Sequence, residues 1–186
     1  MLNKVELTTP LSSEDIKDIQ CGDRVFLSGK VYTARDSTHQ RLFGAVREGE
    51  ELPFDPEGQV IFYAAPTPAR PGRPLGAVGP SSSYRMDPYT IPLLEKGIKC
   101  TVGKGPRSSG VRDAMIRCGS IYCVASGGAS AYLSGFVTSS KIAAFPELGT
   151  EAIRVLEVKK FPLICVNDIY GNDLYEKSHA DFLNKQ

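Results

Sequence analysis

The sequence contains no tryptophan and only two histidines, and its five cysteines do not form a Cys-x-x-Cys pair. An odd number of scattered cysteines argues against a disulfide framework, and their spacing differs from that of metal ligands. Because most of them lie in apolar runs typical of strands, we expect buried thiols and no metal site on this chain. The cysteines are Cys21, Cys100, Cys118, Cys123 and Cys165.

Long apolar runs and a charge excess are also missing. No run approaches the roughly 18 residues needed to cross a bilayer, and residues 1–6 lack the apolar stretch of a signal peptide. We therefore expect a cytoplasmic protein without a membrane partner. A formal net charge of +1 lacks the basic excess typical of nucleic-acid binders, so no nucleic-acid partner is expected. The 186 residues predict a single domain, 1–186.

The near-zero net charge hides an uneven distribution along the chain. Residues 66–112 carry eight Lys and Arg against two Asp and Glu, whereas residues 1–65 carry seven against eleven. The basic stretch is also rich in Gly, Pro and Ser, which favour turns and loops. Its positive charges are therefore expected on loops rather than on a solvated helix face.

Short apolar runs rich in β-forming residues alternate with segments of helical periodicity. A capping box after Ser12 predicts a short first helix, and the proline-rich residues 66–74 suit neither a helix nor a central strand. The pattern predicts an α/β domain of short strands and helices with partly parallel pairing. The predicted strands are 24–33 with a bulge near Gly29, 59–64, 98–102, 121–125, 152–158 and 163–166. The further helices are 34–47, 88–96, one capped by Ser108 or Ser109 that runs through Arg117, one that follows Gly127-Gly128 and runs to about residue 136, and 173–183.

Two loop motifs contain groups that bind anions. The hydroxyls of Ser81, Ser82 and Ser83 follow a Gly-Pro turn and precede Arg85 at a helix start, and Lys104 lies between two glycines after a strand. Backbone N–H groups, hydroxyls and a guanidinium all donate hydrogen bonds to an anion. Taken alone, each motif is more often an ordinary loop or tight turn, and phosphate-loop, dinucleotide and nucleophile-elbow signatures are missing. The residues predict a small-anion site and leave the reaction open.

The order of several motifs is more specific than any one of them. The motifs span residues 33–41, 63–66, 79–87, 103–105, 147–153 and 161–162. Together they resemble the β subunit, or carboxy-terminal domain, of the class I iron–sulfur fumarases and of the related L-tartrate dehydratases. The resemblance covers nearly the whole chain and implies a swivelling β/β/α domain.

The resemblance implies a lyase that interconverts fumarate and L-malate, with L-tartrate as the alternative substrate. In this family an α subunit holds the [4Fe–4S] cluster through three Cys ligands, which agrees with the scattered cysteines here. The expected partners are that α subunit and a small dicarboxylate, in an α2β2 assembly with β–β pairing as a further option. A non-catalytic anion-binding or assembly module is the alternative from another functional class.

Three cations match the positions of the family's substrate-binding groups. By this resemblance, Arg35 and Arg85 would bind the substrate carboxylates, and Lys104 would add a further cationic contact. A guanidinium presents a planar fork that matches a carboxylate, which suits Arg35 and Arg85 to the task. No metal ligand is expected on this chain.

One hydroxyl matches the position of the family's base. Ser81 stands where the family usually has threonine, the hydroxyl proposed to remove a proton from the substrate carbon. The serine keeps the hydroxyl but lacks the methyl group that restricts its rotamer. The resemblance further places Asp36, His39 and Ser82 behind these groups, where they would orient Arg35 or line the site.

Overall fold

A computed structural model of the chain describes residues 3–184. This part of the chain is mixed α/β, with seven strands joined in one sheet and six α-helices. The strands are β1 (Lys4–Thr8), β2 (Arg24–Thr33), β3 (Val60–Phe62), β4 (Cys100–Gly103), β5 (Ile121–Val124), β6 (Val137–Ala144) and β7 (Ile153–Asn167). The helices are α1 (Ser13–Ile16), α2 (Asp36–Glu48), α3 (Asp87–Glu95), α4 (Ser109–Cys118), α5 (Ser130–Leu133) and α6 (Leu174–Leu183).

The first five strands pair in parallel, and the last one closes the sheet. Neighbours from β1 to β5 are parallel, whereas β7 runs antiparallel to β2, β5 and β6. Ile164 of β7 lies opposite both Arg24 of β2 and Val124 of β5. Strands β2, β3, β4, β5 and β7 therefore form a closed ring, with β1 and β6 attached to it. The expected alternation of short strands and helices with partly parallel pairing is confirmed.

Side chains alternate between two apolar layers along the strands. Val60 and Phe62 of β3 join one buried group of residues, and Ile61 with the following Tyr63 joins the other. Helices α2, α3 and α4 cover the second layer, and Leu42 of α2 belongs to it. This alternation follows the two-residue period of a strand. Within the described residues no helix is long and apolar enough to cross a membrane.

Parts of the predicted secondary structure were wrong. The two strands predicted at 152–158 and 163–166 form the single strand β7, because Lys159 and Lys160 lie opposite one residue of β2 in a bulge and the pairing then resumes. The predicted bulge near Gly29 is therefore at the right place, with its extra residue on β7. Strands β1 and β6 were not predicted. The helix predicted after Gly127-Gly128 and up to about residue 136 is shorter, since α5 is followed by a 3-10 turn at Ser134–Phe136.

The parallel strands bring the sequence motifs to one end of the sheet, where the carboxyl ends of these strands lie. This end is called the strand edge below. Arg35 follows the carboxyl end of β2, Tyr63 follows β3, Lys104 follows β4 and Ser126 follows β5. In α/β folds with parallel strands, whether the sheet is open or closed, ligands bind outside the carboxyl ends of these strands. The motifs that lie far apart in sequence therefore share one edge.

Candidate active site

Residues 81–83, called the serine segment below, extend the sheet beyond the end of β4. The amide of Ser81 donates to the carbonyl of Tyr63 at 2.6 Å, and the amide of Lys104 donates to the carbonyl of Ser81 at 3.0 Å. The amide of Ser83 then donates to the carbonyl of Lys104 at 2.8 Å. The backbone thus holds Ser81 beside Lys104. The Lys104 side chain is exposed and passes Gly127, where a Cβ would lie 3.7 Å from its Cδ.

Close packing against the protein interior fixes the serine segment. A Cβ at Gly103 would overlap the Ser83 hydroxyl and approach Tyr63 Cδ2 to 2.9 Å, so only glycine fits there. The Tyr122 hydroxyl donates to the carbonyl of Gly105 at 2.7 Å and lies 2.8 Å from Ser83 Oγ. Ser83 is therefore a buried anchor, while Ser81 and Ser82 are half-buried.

Arg35 and Arg85 meet at a shared carboxylate. Asp36 Oδ2 accepts a hydrogen bond from Arg85 Nη2 at 2.7 Å and lies 3.6 Å from Arg35 Nε. A second carboxylate, that of Glu151, lies 3.7 Å from Arg35 Nη2. The side chains of Arg35 and Arg85 are 28% and 41% exposed, so a ligand can reach both. Arg35 Nε is buried without a hydrogen-bond partner, which leaves one donor of its fork unused.

Glu151 holds the beginning of α2 in place, and sequence reasoning missed this role. Its carboxylate accepts a hydrogen bond from the amide of Ser37 at 3.0 Å, and its carbonyl accepts one from the Thr38 hydroxyl. A carboxylate at a helix amino terminus satisfies a free N–H group and opposes the helix dipole. Glu151 thereby positions the residue that precedes the helix, Arg35. The sequence does draw attention to this residue, because Glu151 lies in the 147–153 motif.

His39 supports the site from the protein interior. The ring is fully buried, its Nδ1 lies 2.9 Å from the carbonyl oxygen of Arg35, and it packs edge to face against Tyr63 with centroids 5.1 Å apart. Burial is the main cause that lowers the pKa of His39 to about 4. The imidazole is therefore neutral at pH 7. It contacts the backbone of Arg35 rather than the guanidinium.

The buried imidazole predicts a loss of stability in mild acid. Because the pKa of His39 is about 4 in the folded chain against 6.5 for an ordinary histidine, only the unfolded chain takes up this proton between those pH values. The stability that the neutral His39 contributes to the folded chain is fully present above pH 6.5. It is lost as the pH falls toward 4, by at most about 1.4 kcal/mol per pH unit. We expect His39→Leu to flatten the pH dependence of the free energy of unfolding measured in urea.

The exposed His179 provides the matched control for this measurement. His179→Leu also removes one imidazole and should leave the slope between pH 6.5 and pH 4 close to that of the wild type. An unchanged slope in His39→Leu would show that the buried ring does not resist protonation.

Arg107 ties the Lys104 loop to the start of α3. Its side chain is wholly buried, its guanidinium lies over the rings of Tyr63 and Tyr122, and its Nε donates to Asp87 at 2.7 Å. The other oxygen of Asp87 accepts from the amide of Ser108 at 2.7 Å. The remaining guanidinium donors reach the hydroxyls of Tyr63, Thr90 and Thr101 at 2.9–3.1 Å. Sequence reasoning missed Arg107, because its burial depends on partners from three other segments.

The thiols do not fit an iron–sulfur cluster. Cys100, Cys123 and Cys165 are buried among apolar side chains on three neighbouring strands, whereas Cys21 and Cys118 are half-buried. A hydrogen bond to Cys123 and burial both raise the pKa of the Cys165 thiol, which disfavours a thiolate ligand. Within residues 3–184 no group of three His, Cys, Asp or Glu side chains is arranged to hold a metal ion.

The residues of the site are at least partly exposed. Arg85 and Lys104 are exposed, and Arg35 and Ser81 are half-buried. Arg35 and Lys104 follow the carboxyl ends of β2 and β4, and the backbone of Ser81 bonds to that of Lys104. Such a group of donors can bind a small carboxylate ligand, but the chain alone does not shield it from water.

Comparison with known families agrees with this geometry. The family described as "Fumarase C-terminus" matches residues 1–178. The chain belongs to this family. The resemblance inferred from the ordered motifs is therefore confirmed. In this fumarase C-terminal chain, the segments that contain Arg35, Ser81 and Lys104 lie near the carboxyl ends of the parallel strands.

Relatives of two kinds match this fumarase C-terminal chain. It is 36% identical over 182 residues to "Fumarate hydratase 2" of Leishmania major, covering 95% of this chain and 32% of the relative. It is 31% identical over 185 residues to "L(+)-tartrate dehydratase subunit beta" of Escherichia coli strain K12, covering 97% of this chain and 90% of that subunit. The chain therefore spans about a third of the first relative and nearly all of the second.

A third relative comes from an archaeon. The "Putative L(+)-tartrate dehydratase subunit beta" of Methanocaldococcus jannaschii is 34% identical over 181 residues, covering 94% of this chain and 93% of the relative. The names of these relatives are those of hydro-lyases. The family is thus a hydro-lyase family, and its members include both fumarate and tartrate enzymes.

Proposed function

We propose that this chain is the β subunit of a two-subunit class I fumarate hydratase, which interconverts fumarate and L-malate. The observation that carries the proposal is the meeting of Arg35 and Arg85 at Asp36, at the same strand edge as Ser81 and Lys104. Two guanidinium forks and a lysine match the two carboxylates of such a substrate. The family match supports the same reaction class.

Arg35 and Arg85 hold the substrate by its carboxylates. In the free chain their charges are balanced by Asp36 and Glu151, which keeps both guanidiniums oriented. The solvent-exposed part of the Arg35 guanidinium and the exposed donors of Arg85 bind the ligand. Holding both ends of a dicarboxylate fixes the C–H bond that must break, and such positioning is a large part of catalysis.

Ser81 acts as the base in this proposal. In the dehydration direction the Ser81 alkoxide takes the proton from the substrate carbon and becomes the hydroxyl, while the C–O bond on the adjacent carbon breaks, the double bond forms and hydroxide leaves. The hydroxide then takes up the Ser81 proton, which releases water and restores the alkoxide. A serine hydroxyl is a weak base at neutral pH, so its alkoxide needs nearby positive charge. In this proposal Lys104, whose backbone bonds to that of Ser81, and Arg85, four residues after Ser81 along the chain, supply that charge.

The partner in this proposal is an α subunit that carries the [4Fe–4S] cluster. The relatives named as β subunits support a partner chain, and the thiols of this chain do not fit a cluster. We propose an α2β2 assembly, with this chain as the swivelling domain that closes over the cluster. Asp36, His39 and Ser82 act as positioning residues behind the substrate-binding groups.

L-Tartrate dehydratase is the second candidate function. It is favoured by relatives that are separate β subunits of nearly this length. The two substrates differ by one hydroxyl, and a site that hydrogen-bonds a substrate hydroxyl rejects an analogue without it strongly. The groups described at the strand edge bind carboxylates, which both substrates share. The preference for one substrate therefore depends on residues that hydrogen-bond the hydroxyl by which they differ.

Anaerobic reconstitution tests the proposed function. The chain is co-purified with its candidate α subunit and assayed in parallel on fumarate, L-malate and L-tartrate. We expect a stable complex that hydrates fumarate, and inactive separated chains. A non-catalytic module would bind the α subunit or a small anion and leave all three compounds unchanged.

A further inference from the structure

A basic turn stands in the loop that leads from β3 to the serine segment. Arg73 N donates to the carbonyl of Arg70 at 3.0 Å, Pro71 occupies the second position and Gly72 adopts φ +75° at the third. Proline at the second position and a glycine of positive φ at the third define a type II turn. The turn therefore presents two arginines, at its first and last positions, on a rigid backbone.

The loop that carries this turn is braced at its base. Thr67 N donates to the carbonyl of Ala77, Gly76 N donates to the carbonyl of Thr67, and Ala77 N donates to Thr67 Oγ1, at 2.8–3.0 Å. Three hydrogen bonds thus close the loop on itself. A braced loop that exposes charged side chains loses little conformational entropy when it binds.

The charges of the turn are not balanced by the chain itself. Residues 58–86 contain three arginines and no Asp, Glu or Lys. Arg70 and Arg73 are both exposed, and within residues 3–184 neither forms an ion pair, whereas Arg35 and Arg85 do. Two guanidiniums held on one rigid turn without an acidic neighbour form a binding surface for carboxylates.

One segment of the chain, residues 130–137, links the turn to the candidate active site. At its start, the carbonyl of Ser130 accepts a hydrogen bond from Val78 N at 3.2 Å, three residues before Ser81. At its end, Ser134 and Val137 line a cavity of about 480 Å³ together with Arg70 and Arg73. The segment therefore contacts the chain just before Ser81 and also borders the basic turn.

We propose that the turn 70–73 docks onto an acidic surface of the cluster-bearing α subunit. This inference rests on the proposed function, and it adds the surface and the charge by which the subunits recognise each other. This chain spans 32% of the Leishmania relative, so most of that protein lies outside the region matched here. A partner that covers the open strand edge meets the turn, and its complementary acidic side chains would speed association through electrostatic attraction.

The test compares two charge-reversal variants of the full chain. R70E/R73E reverses the turn, and K96E/R117E makes the same change in net charge at the opposite edge of the sheet. Lys96 directly follows α3 and Arg117 lies in the last turn of α4, and both side chains are exposed. Association with the α subunit is measured by stopped flow at NaCl concentrations from about 0.05 M to about 0.5 M, where screening becomes strong.

We expect R70E/R73E to slow association by about tenfold or more at low salt and to lose most of the salt dependence. K96E/R117E should keep the rate and the salt dependence of the wild type. Equal rates for R70E/R73E and the wild type, or equal losses in both variants, would overturn the docking surface while leaving the proposed function intact. A wild-type chain that binds no cluster-bearing subunit would instead overturn the proposed function.

Discussion

Arg107→Met is expected to lower the free energy of unfolding of the full chain by about 3–5 kcal/mol, the cost of breaking a buried ion pair. The substitution keeps the apolar volume but leaves Asp87 without the guanidinium that now lies 2.7 Å from it. It also removes the donors that reach the hydroxyls of Tyr63, Thr90 and Thr101. Urea unfolding followed by circular dichroism measures the difference.

Arg41→Met is the matched control for Arg107→Met. Arg41 pairs with Glu147 at the surface, with side chains 44% and 54% exposed, and such pairs contribute about 0–1 kcal/mol. The double variant R107M/D87N should recover part of the loss, because it removes the uncompensated carboxylate as well. If Arg107→Met lost no more stability than Arg41→Met, Arg107 would not anchor the loops around the site.

Ser81→Ala is expected to lower kcat of the assembled enzyme by about 10²–10⁴-fold, the usual contribution of a positioned acid or base. KM should change little, because the variant leaves the guanidiniums of Arg35 and Arg85 and their carboxylate partners untouched. The fold should also persist, since the backbone amide and carbonyl of Ser81, rather than its hydroxyl, bond to Tyr63 and Lys104. Steady-state kinetics on L-malate separates kcat from KM.

Ser81→Thr provides the conservative control, because threonine restores the hydroxyl. We expect it to retain turnover. Undiminished kcat in Ser81→Ala would rule out Ser81 as the base, whereas a rise in KM with normal kcat would mark Ser81 as a substrate-binding group only.

Most strands and helices could be predicted because their signals are local. The apolar run at β3 and the capping box before α1 each lie within a few residues, and the structure confirms both. Strand β6 lacked such a signal, since most of its side chains are exposed and do not alternate. The interruption of β7 was misleading, because a bulge at Lys159 and Lys160 breaks the pattern but not the pairing.

The site was only partly predictable, for a related physical reason. The motifs around Arg35, Ser81 and Lys104 stand out in the sequence because turn residues flank them. The role of Glu151 is not evident in the sequence, although the residue lies in the 147–153 motif, because its carboxylate binds the amide of Ser37, which lies 114 residues away. The burial of Arg107 likewise depends on tertiary contacts that no local pattern encodes.

The most direct test of the central claim is hydratase activity after anaerobic reconstitution with the cluster-bearing α subunit. We expect the complex to convert fumarate to L-malate. Neither chain should be active alone, and L-tartrate should be a much poorer substrate. Preferred turnover of L-tartrate would contradict the fumarate assignment and support the tartrate alternative. A stable complex with a complete cluster that turns over none of the three compounds would contradict the enzymatic role itself.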